Sequence, residues 1–182
     1  MDTPDAQSKK VRLRAPEAEA PFSVVLVEPE IPPNTGNIAR LCAATRCPLY
    51  LVGKLGFRID EHAVRRAGLD YWHLVDVRAR ADLESVEREA GDSPRGPGRS
   101  WLLSASASTS YLDVCFARGD RLVFGKESVG LAPELLTERA ADVIGIPTLG
   151  AVRSLNLANA VAITLYEALR QVGALTVAAS RQ

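Results

Sequence analysis

The sequence predicts an α/β domain, a parallel sheet covered by helices, on three observations. Short apolar runs rich in β-branched residues recur along the chain. Segments with helical spacing separate them, an alternation that favours parallel strands with helical crossovers. Polar, glycine- and proline-bearing turns follow several of the strands, at the carboxyl ends where open α/β sheets bind ligands.

The first strand is Ser23-Val24-Val25-Leu26-Val27, apolar enough to be buried on both faces. Prolines then stop it, since each lacks a backbone N–H and fixes φ. The stretch Glu28-Pro29-Glu30-Ile31-Pro32-Pro33-Asn34-Thr35-Gly36-Asn37-Ile38-Ala39-Arg40 leads into a helix over 35–46. Asn34 or Thr35 is placed to cap that helix, and Ile38, Leu41, Cys42 and Thr45 continue it at helical spacing.

Further strands are expected at 49–52, 73–77, 101–104, 121–124 and 142–146. Further helices are expected at 60–66, 79–90, 132–140 and 154–171. The segment Gly91–Ser100 reads as a surface loop from its glycines and prolines. Ser154 is placed to cap the last helix, which is nearly apolar all round. Such a helix has to be buried on every side, so its second face is expected against another subunit, as a homodimer. Residues 1–21 read as a flexible extension, 22–173 as one domain and 174–182 as a tail. The cluster Lys9, Lys10, Arg12 and Arg14 in the extension suits a solvated tail or a contact with RNA phosphates.

Composition narrows the function classes. The 182 residues suit one domain, with 47% hydrophobic and 24% charged residues. Lys plus Arg number 22 and Asp plus Glu number 22, so no global positive field marks a dedicated nucleic-acid module, although a local basic patch is compatible. Cys42, Cys47 and Cys115 form neither a metal-ligand spacing nor an even disulfide set, and are expected as buried, reduced thiols. No apolar run approaches a membrane span of about 20 residues, and no signal core is evident, so a cytoplasmic protein is expected.

Two further segments carry chemistry. Phe124-Gly125-Lys126-Glu127-Ser128-Val129-Gly130-Leu131 ends a strand in a polar turn between two glycines. It is neither a dinucleotide fingerprint nor a P-loop, and by spacing alone a tight structural turn explains it. Ile144-Gly145-Ile146-Pro147 runs into Arg153-Ser154-Leu155-Asn156-Leu157 at the start of the last helix. Arg65-Arg66-Ala67-Gly68-Leu69-Asp70-Tyr71 presents two arginines that suit either phosphate binding or pairing with Asp60 or Glu61.

Taken in series, these motifs resemble the trefoil-knotted (SPOUT) RNA methyltransferases, and among them the tRNA 2′-O-methyltransferases of the wobble nucleotide. The quoted residues are E-P-E-I-P-P-N-T-G-N-I-x-R, R-R-A-G-L-D-Y, F-G-x-E-x-x-G-L and I-P…R-S-L-N-L-x-N-A, spread over residues 23–171. The resemblance implies a C-terminal deep trefoil knot, a homodimer through the last helix, tRNA as partner and S-adenosylmethionine as cofactor, with S-adenosylhomocysteine as product and no metal. It implies methyl transfer to the ribose 2′-hydroxyl of cytidine or uridine 34, or of another tRNA or rRNA position. A knotted RNA-binding protein without catalysis is the alternative from another class.

On the same resemblance, Arg40, Asn34 and Glu127 are the catalytic candidates. Arg40 would hold a phosphate and stabilise a developing alkoxide, and Asn34 would orient the ribose or its own loop. Glu127 would offset the sulfonium charge or hold Arg40; as a plain turn carboxylate it would do neither. Ser104, Gly125, Gly130, Ile146, Ser154 and Asn156 are implied at the cofactor, and Arg65, Arg66 and Arg153 at the RNA. Val129 stands where many relatives carry a polar or basic residue.

Overall fold

A computed structural model describes residues 13–16, 19–57, 72–91 and 98–176. The expected helix 60–66, the segment containing Arg65 and Arg66, most of the amino-terminal basic cluster and the last residues of the tail lie outside them.

Six strands form one sheet: β1 (Ser23–Val27), β2 (Leu49–Val52), β3 (Val77–Arg80), β4 (Ser100–Leu103), β5 (Arg121–Phe124) and β6 (Val143–Ile144). Their order is β3-β2-β1-β5-β4-β6 and every pairing is parallel. Alternating residues of each strand serve opposite faces. Val24 and Leu26 of β1 join a core with helix α1 (Pro32–Thr45) and helix α4 (Leu157–Gln171). Val25, between them, joins a second core with helix α2 (Leu83–Gly91) and helix α3 (Pro133–Glu138). The predicted α/β class therefore holds, with helices on both faces of a parallel sheet.

The differences from expectation have local causes. Helix α1 begins at Pro32, ahead of Asn34 and Thr35, and no side chain of the cap residue Ile31 bonds its first turn. Pro32 and Pro33 have φ already set for a helix and no N–H to leave unpaired, so the first turn forms without an Asn or Thr cap. The third strand is Val77–Arg80, not 73–77; Trp72–Leu74 is instead a 3₁₀ turn. Its register is fixed by Leu49 opposite Val77, and the Leu49 N–H donates to the Asp76 carbonyl (2.9 Å). The apolar run at 73–77 was a decoy beside an edge strand that alternates with arginine.

Helix α2 starts at Leu83, not 79, because the Asp82 carboxylate accepts the Ser85 N–H (2.7 Å) and so caps it. Ser154 does not cap α4. Asn156 does, its Oδ1 accepting from the Ala158 N–H (2.9 Å) and the Asn159 N–H (3.4 Å). Cys42 and Cys47 are buried as expected, whereas Cys115 is exposed.

After the edge strand β6 the chain returns to the centre of the sheet, where α4 packs on β5 and α1. On the way it runs beside the loop between β4 and β5. Gly145 N–H donates to the Thr109 carbonyl (2.9 Å), and Tyr111 N–H donates to the Gly145 carbonyl (2.9 Å). The far end of that loop is tied to α4: Gln171 Oε1 accepts the Phe116 N–H (3.0 Å), and Gln171 Nε2 donates to the Val114 carbonyl (3.2 Å).

Candidate active site

The carboxyl ends of β4, β5 and β6 meet at a cavity of about 520 Å³, within the range of small-molecule sites. Its walls come from the turn 125–130 after β5, the start of the β4–β5 loop and the segment between β6 and α4. Seven of the residues singled out in the sequence line it: Ser104, Gly125, Glu127, Gly130, Ile146, Arg153 and Ser154.

The turn is shaped by its glycines. A Cβ on Gly125 would meet the Gly130 carbonyl carbon at 2.1 Å, so the two backbones close the turn only without a side chain there. Gly130 has φ +76°, and a Cβ on it would meet nothing within 4 Å. Lys126 and Gly130 exchange backbone hydrogen bonds (3.1 and 2.9 Å) that fix the turn.

Three charged or polar residues in that turn reach the first motif. Both Glu127 oxygens are engaged: Oε2 accepts the Glu30 N–H (2.8 Å), and Oε1 accepts the Ile31 N–H (3.2 Å) and Asn34 Nδ2 (3.0 Å). The carboxylate therefore sits at the N-terminus of α1, where free N–H groups and the helix dipole favour an anion. Ser128 N–H donates to Glu30 Oε2 (3.1 Å), and the Ser128 side chain first, then this backbone bond, lower the Glu30 carboxyl from its ordinary value. Lys126 Nζ pairs with Glu28 Oε2 (2.5 Å), which lowers the Glu28 carboxyl and raises the Lys126 ammonium.

Asn34 continues the chain of contacts. It is buried, and its Oδ1 accepts from Asn156 Nδ2 (2.9 Å). A carboxylate only accepts, so the amide of Asn34 has to turn its NH₂ toward Glu127 and its oxygen toward Asn156. The relay Glu127–Asn34–Asn156 thus binds together the turn after β5, the start of α1 and the start of α4. Asn34 and Asn156 stand behind the cavity wall. Arg40 lies on the exposed side of α1, six residues beyond Asn34, and is not a lining residue. Arg65 and Arg66 are outside the described residues. Glu28, Glu30 and Lys126 stand inside the quoted motifs, yet nothing in their spacing says which groups they pair with.

The residues present fit S-adenosylmethionine. The cavity offers apolar wall at Leu103, Leu131, Ile146 and Leu155, hydroxyls at Ser104 and Ser154, and open backbone at Gly130. That combination accepts a flat heterocycle against apolar groups and a ribose against polar ones. Among the described residues no helix is long and apolar enough to cross a membrane.

Known proteins share this architecture. Residues 21–166 match the SpoU rRNA methylase family. A tRNA (cytidine(34)-2'-O)-methyltransferase of Saccharophagus degradans is 44% identical over 153 residues, covering 84% of this chain and 96% of its own. A solved structure described as giving insight into 2-OH methylation of C/U34 on tRNA is 43% identical, with a TM-score of 0.75 over 84% of this chain and 96% of that one. The SpoU methyltransferase AviRb of Streptomyces viridochromogenes, solved with the cofactor AdoMet, is 26% identical, with a TM-score of 0.69 over 87% of this chain and 60% of that one.

Proposed function

The chain belongs to the SpoU rRNA methylase family, and from that premise we propose that it methylates the ribose 2′-hydroxyl of the wobble nucleotide, cytidine or uridine 34, of tRNA. The observation that carries this reading is the relay Glu127–Asn34–Asn156, which ties three of the motifs to one cavity. The relatives whose names specify cytidine 34 cover nearly their whole length with this chain, which supports the substrate.

S-adenosylmethionine, when bound, supplies a methyl group already activated on a sulfonium and leaves as S-adenosylhomocysteine. The chain's own residues then have to align an in-line attack and help the hydroxyl lose its proton. Ser104, Gly125, Gly130, Ile146 and Ser154 would hold the cofactor, with Asn156 fixing the last wall from behind. Arg40 holds the phosphate next to the target ribose and stabilises the developing alkoxide. A guanidinium keeps its proton in proteins, so the hydroxyl proton goes to substrate phosphate or water rather than to Arg40. Glu127 and Asn34 act by position, fixing the start of α1 so that Arg40 faces the substrate. Arg153, exposed at the cavity rim, and Arg65 and Arg66 contact RNA phosphates.

The same reading includes a cytoplasmic homodimer and a C-terminal trefoil knot in which the segment after β6 is threaded through the β4–β5 loop. The dimer is supported by Ile163 and Tyr166, exposed on α4 together with Asn159 and Arg170 along one helical stripe.

Transfer of labelled methyl groups to total tRNA, with mapping of the product, tests the assignment. The expected product carries a 2′-O-methyl group at nucleotide 34. Methylation at another position keeps the chemistry and overturns the substrate; no transfer to tRNA or rRNA overturns both.

A further inference from the structure

We propose that Lys126 is an additional RNA-phosphate contact and that Glu28 is its resident counter-ion, holding the ammonium at the cavity mouth until an RNA phosphate replaces it. The inference rests on the tRNA reading above and adds a site residue and a partner exchange to it.

The placement comes from the sheet. β2, β1 and β5 are neighbours, and just past their carboxyl ends stand Lys54, Glu28 and Lys126 in one row. Adjacent strands lie about 4.8 Å apart, so the two lysines flank the glutamate. Lys126 and Arg153 are the cations among the described cavity-lining residues. The Lys126 backbone is fixed by its two bonds with Gly130, which leaves the long stem free to redirect its charge.

Glu28 is seated at a conformational cost. It is one of two non-glycine residues among those described with a left-handed backbone, at φ +48°. Its side chain lies over Gly53, itself at φ +77°, where an added Cβ would come within 2.8 Å of Glu28 Cγ. The carboxylate is held first by Lys126 and also by the backbone N–H of Lys54. The ion pair it forms is about one-third exposed on each side, 36% for Lys126 and 34% for Glu28, and exposed pairs return little stability. Strained backbone that stability does not repay is characteristic of functional positions. What the seat accomplishes is to hold a cation beside the reaction cavity and neutralise it.

A polyanion is the ligand that this arrangement suits. The row runs outward from the cavity, since Lys54 is not a lining residue, so it extends beyond the cofactor's reach. A chain with 22 basic and 22 acidic residues has no general positive field and has to bind phosphate through local cations.

The test measures tRNA and S-adenosylmethionine affinity of the full chain against Lys126→Ala and Glu28→Gln. Lys126→Ala should weaken tRNA binding roughly tenfold near 0.1 M salt and reduce the slope of log K against log salt by about 1. Glu28→Gln, which keeps the acceptor for Lys54 but removes the charge, should tighten tRNA binding several-fold. Cofactor affinity should move less than twofold in either. Equal weakening by both variants, with a lower melting temperature, would show a merely structural pair and overturn the proposal. A loss confined to cofactor affinity would assign Lys126 to the cofactor carboxylate and overturn it as well. If the wild-type chain itself neither binds nor methylates tRNA, the functional reading falls, and this proposal with it.

Discussion

Asn156 Nδ2 donates to Asn34 Oδ1 over 2.9 Å, joining the N-terminus of the last helix to that of the first across 122 residues of sequence. Because Asn34 also donates to Glu127, the two asparagines tie the start of α1 and of α4 to a glutamate that lines the cavity. Each amide is used at both ends, so neither can be replaced by an isostere without facing a wrong partner.

Asn34→Ala is expected to cost about 2 kcal/mol, since it removes a buried amide and leaves the Glu127 carboxylate and the Asn156 amide each short of a partner. Asn34→Asp should cost more, because it sets a second carboxylate against Glu127. Urea denaturation of the three proteins orders them, and an Asp variant as stable as wild type would refute the relay.

Arg40→Ala should lower methyl transfer by a hundredfold or more, on the order of one lost transition-state contact, while S-adenosylmethionine affinity holds. The residue stands outside the cavity wall, so calorimetric titration with the cofactor separates the two effects. Joint loss of binding and turnover would place Arg40 in the cofactor site instead.

Gly125→Ala should abolish cofactor binding, because its Cβ would collide with the Gly130 and Leu131 backbones at 2.1 and 2.2 Å. Gly130→Ala meets no neighbour, and its cost is conformational, about 1–2 kcal/mol for an L-residue held left-handed. Thermal melts should show the first substitution as the larger loss.

Glu167 gives a pH prediction. Arg170 first, and then Gln171, hold its carboxyl at about 2, against an ordinary 4.5. Between those values the unfolded chain binds a proton that the folded chain does not, so acid favours unfolding. The contribution is complete above about pH 5 and is lost as pH falls toward 2. Wild type should therefore lead Glu167→Gln in denaturation midpoint at pH 7, and the lead should shrink below about pH 4.5 and vanish only near pH 2.

On the proposed homodimer through α4, Tyr166→Arg should give a monomer in light scattering where the wild type gives a dimer. Tyr166 is 46% exposed on the α4 stripe, and a charge there opposes burial against a second copy. An unchanged dimer would move the interface off α4.

The sequence by itself determined the parallel α/β class, the strands β1 and β5, and the family. Val24–Val27 of β1 and Leu122–Phe124 of β5 are apolar runs that suit burial on both faces, and four motifs in order are hard to produce by chance. Local signals failed where context overrides them. The apolar segment at 73–77 looked more strand-like than Val77-Arg78-Ala79-Arg80, yet pairing with β2 selected the latter as the edge. Ser154 looked like a cap, but the chain enters α4 two residues later, with Asn156 held in place by Asn34. Only the tertiary structure decided that Glu127 engages the start of α1, that Asn34 and Asn156 meet, and that Glu28 faces Lys126. These partners lie 93 to 122 residues apart for Glu127–Asn34 and Asn34–Asn156. Hydrogen-bond partners so distant are chosen by the order in which strands join the sheet, which no local propensity encodes.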